Sequence, residues 1–157
     1  MARKKTILIV DDHPLVREGL KSIINANDAL EVIGEAANAR SARKMIKELK
    51  PDLVLLDLDL PDKSGLELSR EIRIFSSPTR IMIISIHSKI DYIVQAFQAG
   101  ATGYMTKESA TERLLQGIER VLNGEYFMDG AVSHTVVEKL MQTPKKQTKI
   151  ADAVMRP

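Results

Sequence analysis

PDLVLLDLDLPDKSG, residues 51–65, changes character abruptly in its middle. Leu53–Leu56 is an unbroken apolar run, too short for a helix, and has the pattern of a strand buried on both faces. It stops at Asp57. Leu58–Ser64, with Pro61 and Asp62 inside it and Gly65 behind it, reads as a loop. The same change recurs on either side. TILIV (Thr6–Val10) stops at Asp11 and Asp12, IMII (Ile81–Ile84) stops at Ser85, and GYMT (Gly103–Thr106) stops at Lys107. EVIG (Glu31–Gly34) supplies one more candidate strand.

Between these runs the apolar residues fall into helical spacing. Val16, Leu20, Ile23, Ile24 and Asn27 predict a helix from about Leu15 to Ala26, with Pro14 suited to its first turn. Ala42, Met45, Ile46 and Leu49 mark a second, closed by Lys50 and Pro51. Leu66, Leu68, Ile72 and Phe75 mark a third, ended by Ser76, Ser77 and Pro78. Tyr92–Ala99 is the fourth, with Gly100 as its stop, and Leu114, Leu115, Ile118, Val121 and Leu122 face a fifth that ends before Gly124. Strands alternating with helices imply βαβ units, one parallel sheet and right-handed crossovers. The expected fold is therefore α/β, a flavodoxin-like, doubly wound five-stranded parallel sheet in the order 2-1-3-4-5.

After Gly124 the alternation lapses. Tyr126–Met128 fits an extended segment, and Val132, Val136, Val137, Leu140 and Met141 fit one face of a short helix. From Thr143 the text turns polar and lysine-rich (PKKQTK), the composition of a linker or tail. Residues 1–124 are accordingly read as one domain and 125–157 as a helical linker and tail.

Composition narrows the class. A chain of 157 residues, 44% hydrophobic and 28% charged, can bury one full core and carry a modest appendage. The absence of Cys excludes disulfides, thiolate metal sites and thiol nucleophiles, and fits a reducing cytoplasm. No apolar run approaches membrane-spanning length and no signal-peptide pattern opens the chain, so a cytoplasmic protein without membrane contact is expected. A net charge of +2 is too small to imply nucleic-acid binding over the whole surface.

The chemistry lies where the strands stop. In an open parallel sheet the carboxyl ends of the strands line one rim, and the ligand crevice lies there. Asp11, Asp12, Asp57, Ser85 and Lys107 would therefore converge. Two unit charges 4 Å apart repel by about 4 kcal/mol at an effective dielectric near 20, so clustered carboxylates call for protonation or a cation. Few oxygen ligands with room for water suit Mg²⁺ better than a full Ca²⁺ cage. An Asp beside Mg²⁺ can attack a phosphoryl group as a carboxylate nucleophile, with Lys107 and Ser85 placed to meet the phosphoryl oxygens.

IVDDHPLVREGL, LVLLDLDLPDKSGLEL, MIISIHS and GATGYMTKES resemble, in order, the signature segments of the receiver domains of bacterial response regulators (CheY-like domains), over roughly residues 5 to 124. The GATGYMTK run is similar in particular to the NarL/FixJ class, whose members carry a LuxR-type helix-turn-helix. The resemblance implies Asp57 as phosphoacceptor, with Asp11, Asp12, Asp57 and the backbone carbonyl of Asp59 holding Mg²⁺ (or Mn²⁺). It also implies Lys107 as the phosphate-pairing lysine, Ser85 as the switch hydroxyl, and Tyr104 as the aromatic that changes rotamer. A sensor histidine kinase as phosphoryl donor, homodimerisation on phosphorylation, and slow self-hydrolysis rather than turnover are implied with them.

Two features depart from the pattern. Glu108 follows Lys107 where many receivers have proline. The chain ends at Pro157, where a helix-turn-helix would be starting, so DNA binding is expected only through a C-terminal domain outside this chain.

Other residues carry weaker expectations. His13 is read as packing or capping beside the acidic pair, His87 as lying near the mouth where it tunes acyl-phosphate hydrolysis, and Lys145–Lys149 as a solvated tail. Two rival functions stay open. Asp57-Leu58-Asp59 is similar to the DxD of haloacid-dehalogenase-type phosphatases, although their DxD lies on the first strand and a further acidic pair follows the lysine. The other rival is a receiver-like interaction module that takes no phosphate.

Overall fold

A computed structural model describes residues 3–142. The elements run β1 (Lys5–Val10), α1 (Pro14–Asn25), β2 (Leu30–Ala36), α2 (Ala39–Leu49), β3 (Leu53–Leu56), α3 (Gly65–Phe75), β4 (Arg80–Ser85), α4 (Ile90–Gln98), β5 (Gly103–Thr106), α5 (Lys107–Leu122), β6 (Phe127–Met128) and α6 (Gly130–Gln142). All the described strands pair in parallel, in the order β2-β1-β3-β4-β5-β6. The expected 2-1-3-4-5 order is present, and β6 extends it by one short strand at the β5 edge.

Period-two alternation along the strands divides the core between two faces. Leu8, Val10, Val54, Leu56, Ile81, Ile83 and Tyr104 point to one side, where α2, α3 and α4 cover them with Ile46, Leu68, Ile72 and Ile93. Ile7, Ile9, Leu53, Leu55, Met82, Ile84 and Met105 point to the other, under Leu20 and Ile24 of α1 and Leu114, Ile118 and Val121 of α5. Both faces are dry, which is why the central strands read as continuous apolar runs.

Local chemistry fixes the helix ends. Pro14 occupies the first turn of α1, and Gly100 takes φ +103° just past α4, a conformation open to glycine at little cost. Asn27, expected on the α1 face, lies beyond the helix and accepts the Ala29 N–H through its Oδ1. Asn38 caps α2 by accepting the Ser41 N–H, so that helix starts earlier than its apolar face suggests. Packing continues past Gly124, because Phe127 and Val132 both belong to the core. Of the α6 face expected from sequence, Val132 is buried, whereas Val137, Leu140 and Met141 are exposed. Residues 143–157, including the Lys145–Lys149 cluster, lie outside the described residues.

At the opposite rim from the strand ends, Asp52 ties β1 to the start of β3. Its carboxylate accepts the Thr6 N–H (2.8 Å) and hydroxyl (3.1 Å) and pairs with Arg3 (3.0 Å). Burial opposes its ionisation, but the bonds from Arg3 and Thr6 outweigh burial and bring its pKa down to about 2. A depressed carboxylate stabilises the fold fully above its unfolded value near pH 4, and that share is lost as the pH falls through about 2. Asp52→Asn is expected to cost about 1–2 kcal/mol at pH 7 and to flatten the stability profile between pH 4 and 2. Urea unfolding across that range measures both, and an unchanged midpoint at neutral pH would refute the assignment.

Candidate functional site at the strand carboxyl ends

Each charged residue of the site sits one step beyond a buried strand, where the backbone leaves the sheet and the side chain no longer has a core to fill. Asp11 follows β1, Asp57 follows β3 and Lys107 opens α5 directly after β5, while Ser85 is the last residue of β4. Asp11 and Asp57 are each 2% exposed and Ser85 is fully buried. Lys107 Nζ lies 2.9 Å from Asp11 Oδ2 and 3.0 Å from Asp57 Oδ2, so one ammonium bridges two carboxylates. Asp57 is also anchored through its backbone, its N–H donating to the Val10 carbonyl at 3.0 Å, and its Oδ1 accepts the Asp59 N–H at 3.2 Å.

Electrostatics separates the two buried acids. Burial raises the pKa of both. At Asp11 the His13 N–H and the Lys107 ammonium outweigh burial, and the carboxyl stays below its ordinary value. At Asp57 burial prevails over Lys107 and the Asp59 N–H, with the charge of Asp11 adding to it, and the carboxyl is held above its ordinary value. Burial would lower Lys107, but its bonds to Asp11 and Asp57 raise it, so it stays an ammonium.

Asp12, half-buried, completes the cluster. Its Oδ1 is shielded from solvent without a hydrogen-bond partner, although His13 Nδ1 lies 3.0 Å away. Asp11, Asp12, His13 and Asp57 each offer one ligand atom, all within 4.8 Å of one another. Carboxylates grouped around one lysine, one of them with an orphaned oxygen, leave negative charge uncompensated. This donor set fits a hard divalent cation.

His13 occupies the position before α1 but makes no side-chain capping bond. Its ring turns to the acids instead, with Nδ1 2.9 Å from Asp11 Oδ1. Of the packing or capping expected of His13 beside the acidic pair, the side-chain cap is absent and the imidazole lies against the acids. Arg17 supports the acidic pair from behind, its guanidinium donating to the Asp11 carbonyl at 2.6 Å and pairing with Glu35 at 3.2 Å. Sequence gave no signal for that brace, since Arg17 lies on an ordinary helix face.

Ser85, Tyr104, His87 and Asp59 form a second group at the mouth. Ser85 Oγ accepts the His87 N–H at 3.1 Å, and among the described residues it makes no hydrogen bond to Asp57 or Lys107. Tyr104 is fully buried, with its hydroxyl donating to the His87 carbonyl at 2.7 Å, and burial pushes the phenol up to about 12. His87 Nε2 meets Asp59 Oδ2 at 2.7 Å, and its ring stacks on Tyr92 at 4.1 Å between centroids. The β3–α3 and β4–α4 loops are thereby joined across the site.

A family model described as the response regulator receiver domain matches residues 7–119, and the chain belongs to that family. Receiver domains are phosphoacceptors rather than turnover enzymes, and they hold Mg²⁺ at an acidic pocket. The transcriptional regulatory protein YdfI of Bacillus subtilis is 35% identical over 90% of this chain and 66% of its own length. The nitrate/nitrite response regulator protein NarL of Escherichia coli is 35% identical over 86% of this chain and 62% of its own. The chain thus spans between 62% and 66% of these relatives. Among solved structures, a LuxR-family two-component response regulator from Aurantimonas sp. SI85-9A1 superposes with a TM-score of 0.84 at 38% identity, covering 88% of this chain and 99% of that one. The signal receiver domain of the putative response regulator NarL from Mycobacterium tuberculosis gives 0.76 at 31%, covering 79% and 100%. Among the described residues no helix is long and apolar enough to cross a membrane.

Proposed function

We propose that Asp57 accepts a phosphoryl group from a histidine of a sensor kinase and that the resulting change of state is passed to an output domain that regulates transcription in the parent protein. The observation that carries this reading is Lys107 Nζ held between Asp57 and Asp11 at the carboxyl rim of the sheet. Asp57 presents an oxygen to phosphorus, the new O–P bond forms as the donor's P–N bond breaks, and the departing nitrogen keeps the electron pair. Asp11, Asp12, Asp57 and the Asp59 backbone carbonyl would hold Mg²⁺ (or Mn²⁺), which when bound offsets charge on the phosphoryl oxygens. Lys107 stays protonated and pairs with one phosphoryl oxygen, and Ser85 turns its hydroxyl to another.

Recruiting Ser85 withdraws the acceptor that holds the His87 amide, and so releases the loop that anchors the Tyr104 hydroxyl. Tyr104 then changes rotamer, and the α4–β5–α5 face repacks and becomes a homodimer surface. Shifting a population from mostly inactive to mostly active needs about 5.5 kcal/mol of differential interaction, within reach of a few charge-assisted bonds. In this reading residues 1–124 form the phosphoacceptor domain and 125–157 lead toward the output domain, the whole acting in the cytoplasm. The phosphatase alternative needs paired aspartates after a strand that follows Lys107. β6 is followed by Asp129 and Gly130, and the Asp129 carboxylate is taken up by two backbone amides.

Incubation with acetyl phosphate and Mg²⁺, followed by intact mass measurement, tests the proposal. One phosphoryl group per chain, dependent on Mg²⁺ and lost slowly, is expected. No mass gain would favour an interaction module, and steady release of phosphate from phosphomonoesters would favour a phosphatase. His87 bridges the two loops at the mouth, so His87→Ala is expected to open the site to water and shorten the acyl-phosphate lifetime severalfold. Decay of the labelled species gives the rate, and an unaltered lifetime would remove His87 from the mouth's water barrier.

A further inference from the structure

Asp129 lies between β6 and α6 and is 1% exposed. Its Oδ2 accepts the Thr106 N–H at 2.8 Å, and its Oδ1 accepts the Val132 N–H at 2.9 Å in the first turn of α6. Its carbonyl takes the Ser133 N–H at 2.8 Å, and its own N–H reaches the Tyr104 carbonyl at 3.4 Å. Among the described residues no cationic side chain pairs with it. A serine would cap α6 as well as an aspartate, without burying a charge. What serine lacks is a second oxygen able to reach Thr106. The bridge, not the cap, explains a buried carboxylate here.

Thr106 is no neutral anchor. It immediately precedes Lys107, caps α5 by accepting the Ser109 N–H, and follows the residue after Tyr104 on the same strand. Asp129 therefore grips β5 at the two positions beside the phosphate-pairing lysine and the switch aromatic. Apart from this bridge, α6 is held mainly at its first two turns, where Val132 is buried in the core and Val136 packs against it. It lies against α4 and β5 with Val132 fully buried, while Val137 and Met141 are 58% and 72% exposed. The carboxylate bridge is the polar tie between this lightly packed helix and the end of β5.

We infer that Asp129 is a positioning residue that couples the phosphorylation state of Asp57 to the docking of α6. This rests on the reading of Asp57 as phosphoacceptor. While Lys107 spans Asp57 and Asp11, the Thr106 amide sits where Asp129 holds it together with the first turn of α6. When Lys107 turns to a phosphoryl oxygen, the β5–α5 corner moves with it, the Thr106 bond lengthens, and α6 loosens. The helix leading out of the sheet becomes the reporter of the site. Coupling is reciprocal, so weakening the bridge must favour the phosphorylated state by a factor of the same size.

The test uses the full chain with beryllofluoride and Mg²⁺ as phosphoryl mimic, read by amide hydrogen exchange over residues 130–142 and by titration of beryllofluoride affinity. In the unsubstituted chain the mimic is expected to speed exchange in α6 about tenfold. Asp129→Ser keeps the cap but not the bridge. Its α6 exchange should respond less than about twofold, with beryllofluoride affinity raised about three- to tenfold. Asp129→Asn, the same shape with one oxygen exchanged for a donor, should behave alike and serves if the serine variant folds poorly. An Asp129→Ser protein that responds like the unsubstituted chain, with unchanged affinity, makes Asp129 a cap only and overturns the inference. If the unsubstituted chain binds no beryllofluoride, the reading of Asp57 itself fails, and this coupling fails with it.

Discussion

Asp57→Asn is expected to take up no phosphoryl group from acetyl phosphate or from a kinase, while the folded protein becomes more stable without divalent cation. The two effects share one cause. Asp57 is 2% exposed, and burial together with the Asp11 charge holds its carboxyl above the ordinary value. A carboxylate that must ionise in such a place opposes folding at neutral pH, because the unfolded chain ionises it freely. Asparagine keeps the shape, retains an oxygen for the Asp59 N–H and removes one of the clustered charges. It cannot act as the nucleophile, since an amide oxygen carries no charge to attack phosphorus and would leave no stable product. A gain of about 1 kcal/mol in urea unfolding with chelator present is expected, and it should shrink or reverse when Mg²⁺ is added. Phosphoryl incorporation by the variant at the unsubstituted rate would move the acceptor elsewhere. A loss of stability in chelator would mean that the Lys107 bond outweighs the charge crowding.

Gly65→Ala is expected to destabilise the fold by about 3 kcal/mol and to slow phosphorylation more than tenfold, although the residue carries no chemistry. A Cβ at this position would meet the Asp57 carbonyl oxygen at 2.3 Å and the Leu58 Cα at 2.8 Å. Neither is the end of a flexible side chain. Asp57 is pinned through its N–H to Val10, and the Gly65 N–H donates to the Leu58 carbonyl at 2.9 Å, which keeps α3 against the loop. Relief must come from moving the backbone of Asp57, the proposed acceptor, and small misplacements of a reacting group are costly. Gly19→Ala is the control. Its Cβ would meet nothing within 4 Å on α1, so a small gain in stability of about 0.5–1 kcal/mol is expected there. Thermal unfolding and the rate of acetyl-phosphate labelling on both variants decide the matter, and a Gly65→Ala protein indistinguishable from the parent would refute the close-approach argument.

Much of the site was legible in the residue order alone. Leu53–Leu56, Ile81–Ile84 and Thr6–Val10 are apolar on both faces of the sheet, so each strand end was marked by an abrupt polar residue. The convergence of Asp11, Asp57 and Lys107 followed from the rule that parallel strands end on one rim. Other parts left no trace in the text. Tyr126–Met128 fitted an extended segment, but nothing in so short a run marked β6 (Phe127–Met128) as a partner of β5, and Asp129 behind it carried no expectation. The ring of His13 could have capped α1 or faced the acids, and only the path of the β1–α1 loop settles that it faces them. The His87–Asp59 contact depends on the separation of two loops distant in sequence.

Burial on two faces writes a continuous apolar signal with a sharp end, so the layer order, the carboxyl ends of β1, β3 and β5 and the residue types at the carboxyl rim could be read from the residues alone. β2, by contrast, runs from Leu30 to Ala36, beyond the expected Glu31–Gly34. Tertiary structure decided what depends on angle and distance between elements. It set the lysine between two acids, turned Ser85 toward its own loop, held Tyr104 inward, and stretched one aspartate between the β5–α5 corner and α6. A hydrogen bond works only within a few tenths of an ångström, and residue spacing along the chain does not specify positions across the fold so finely.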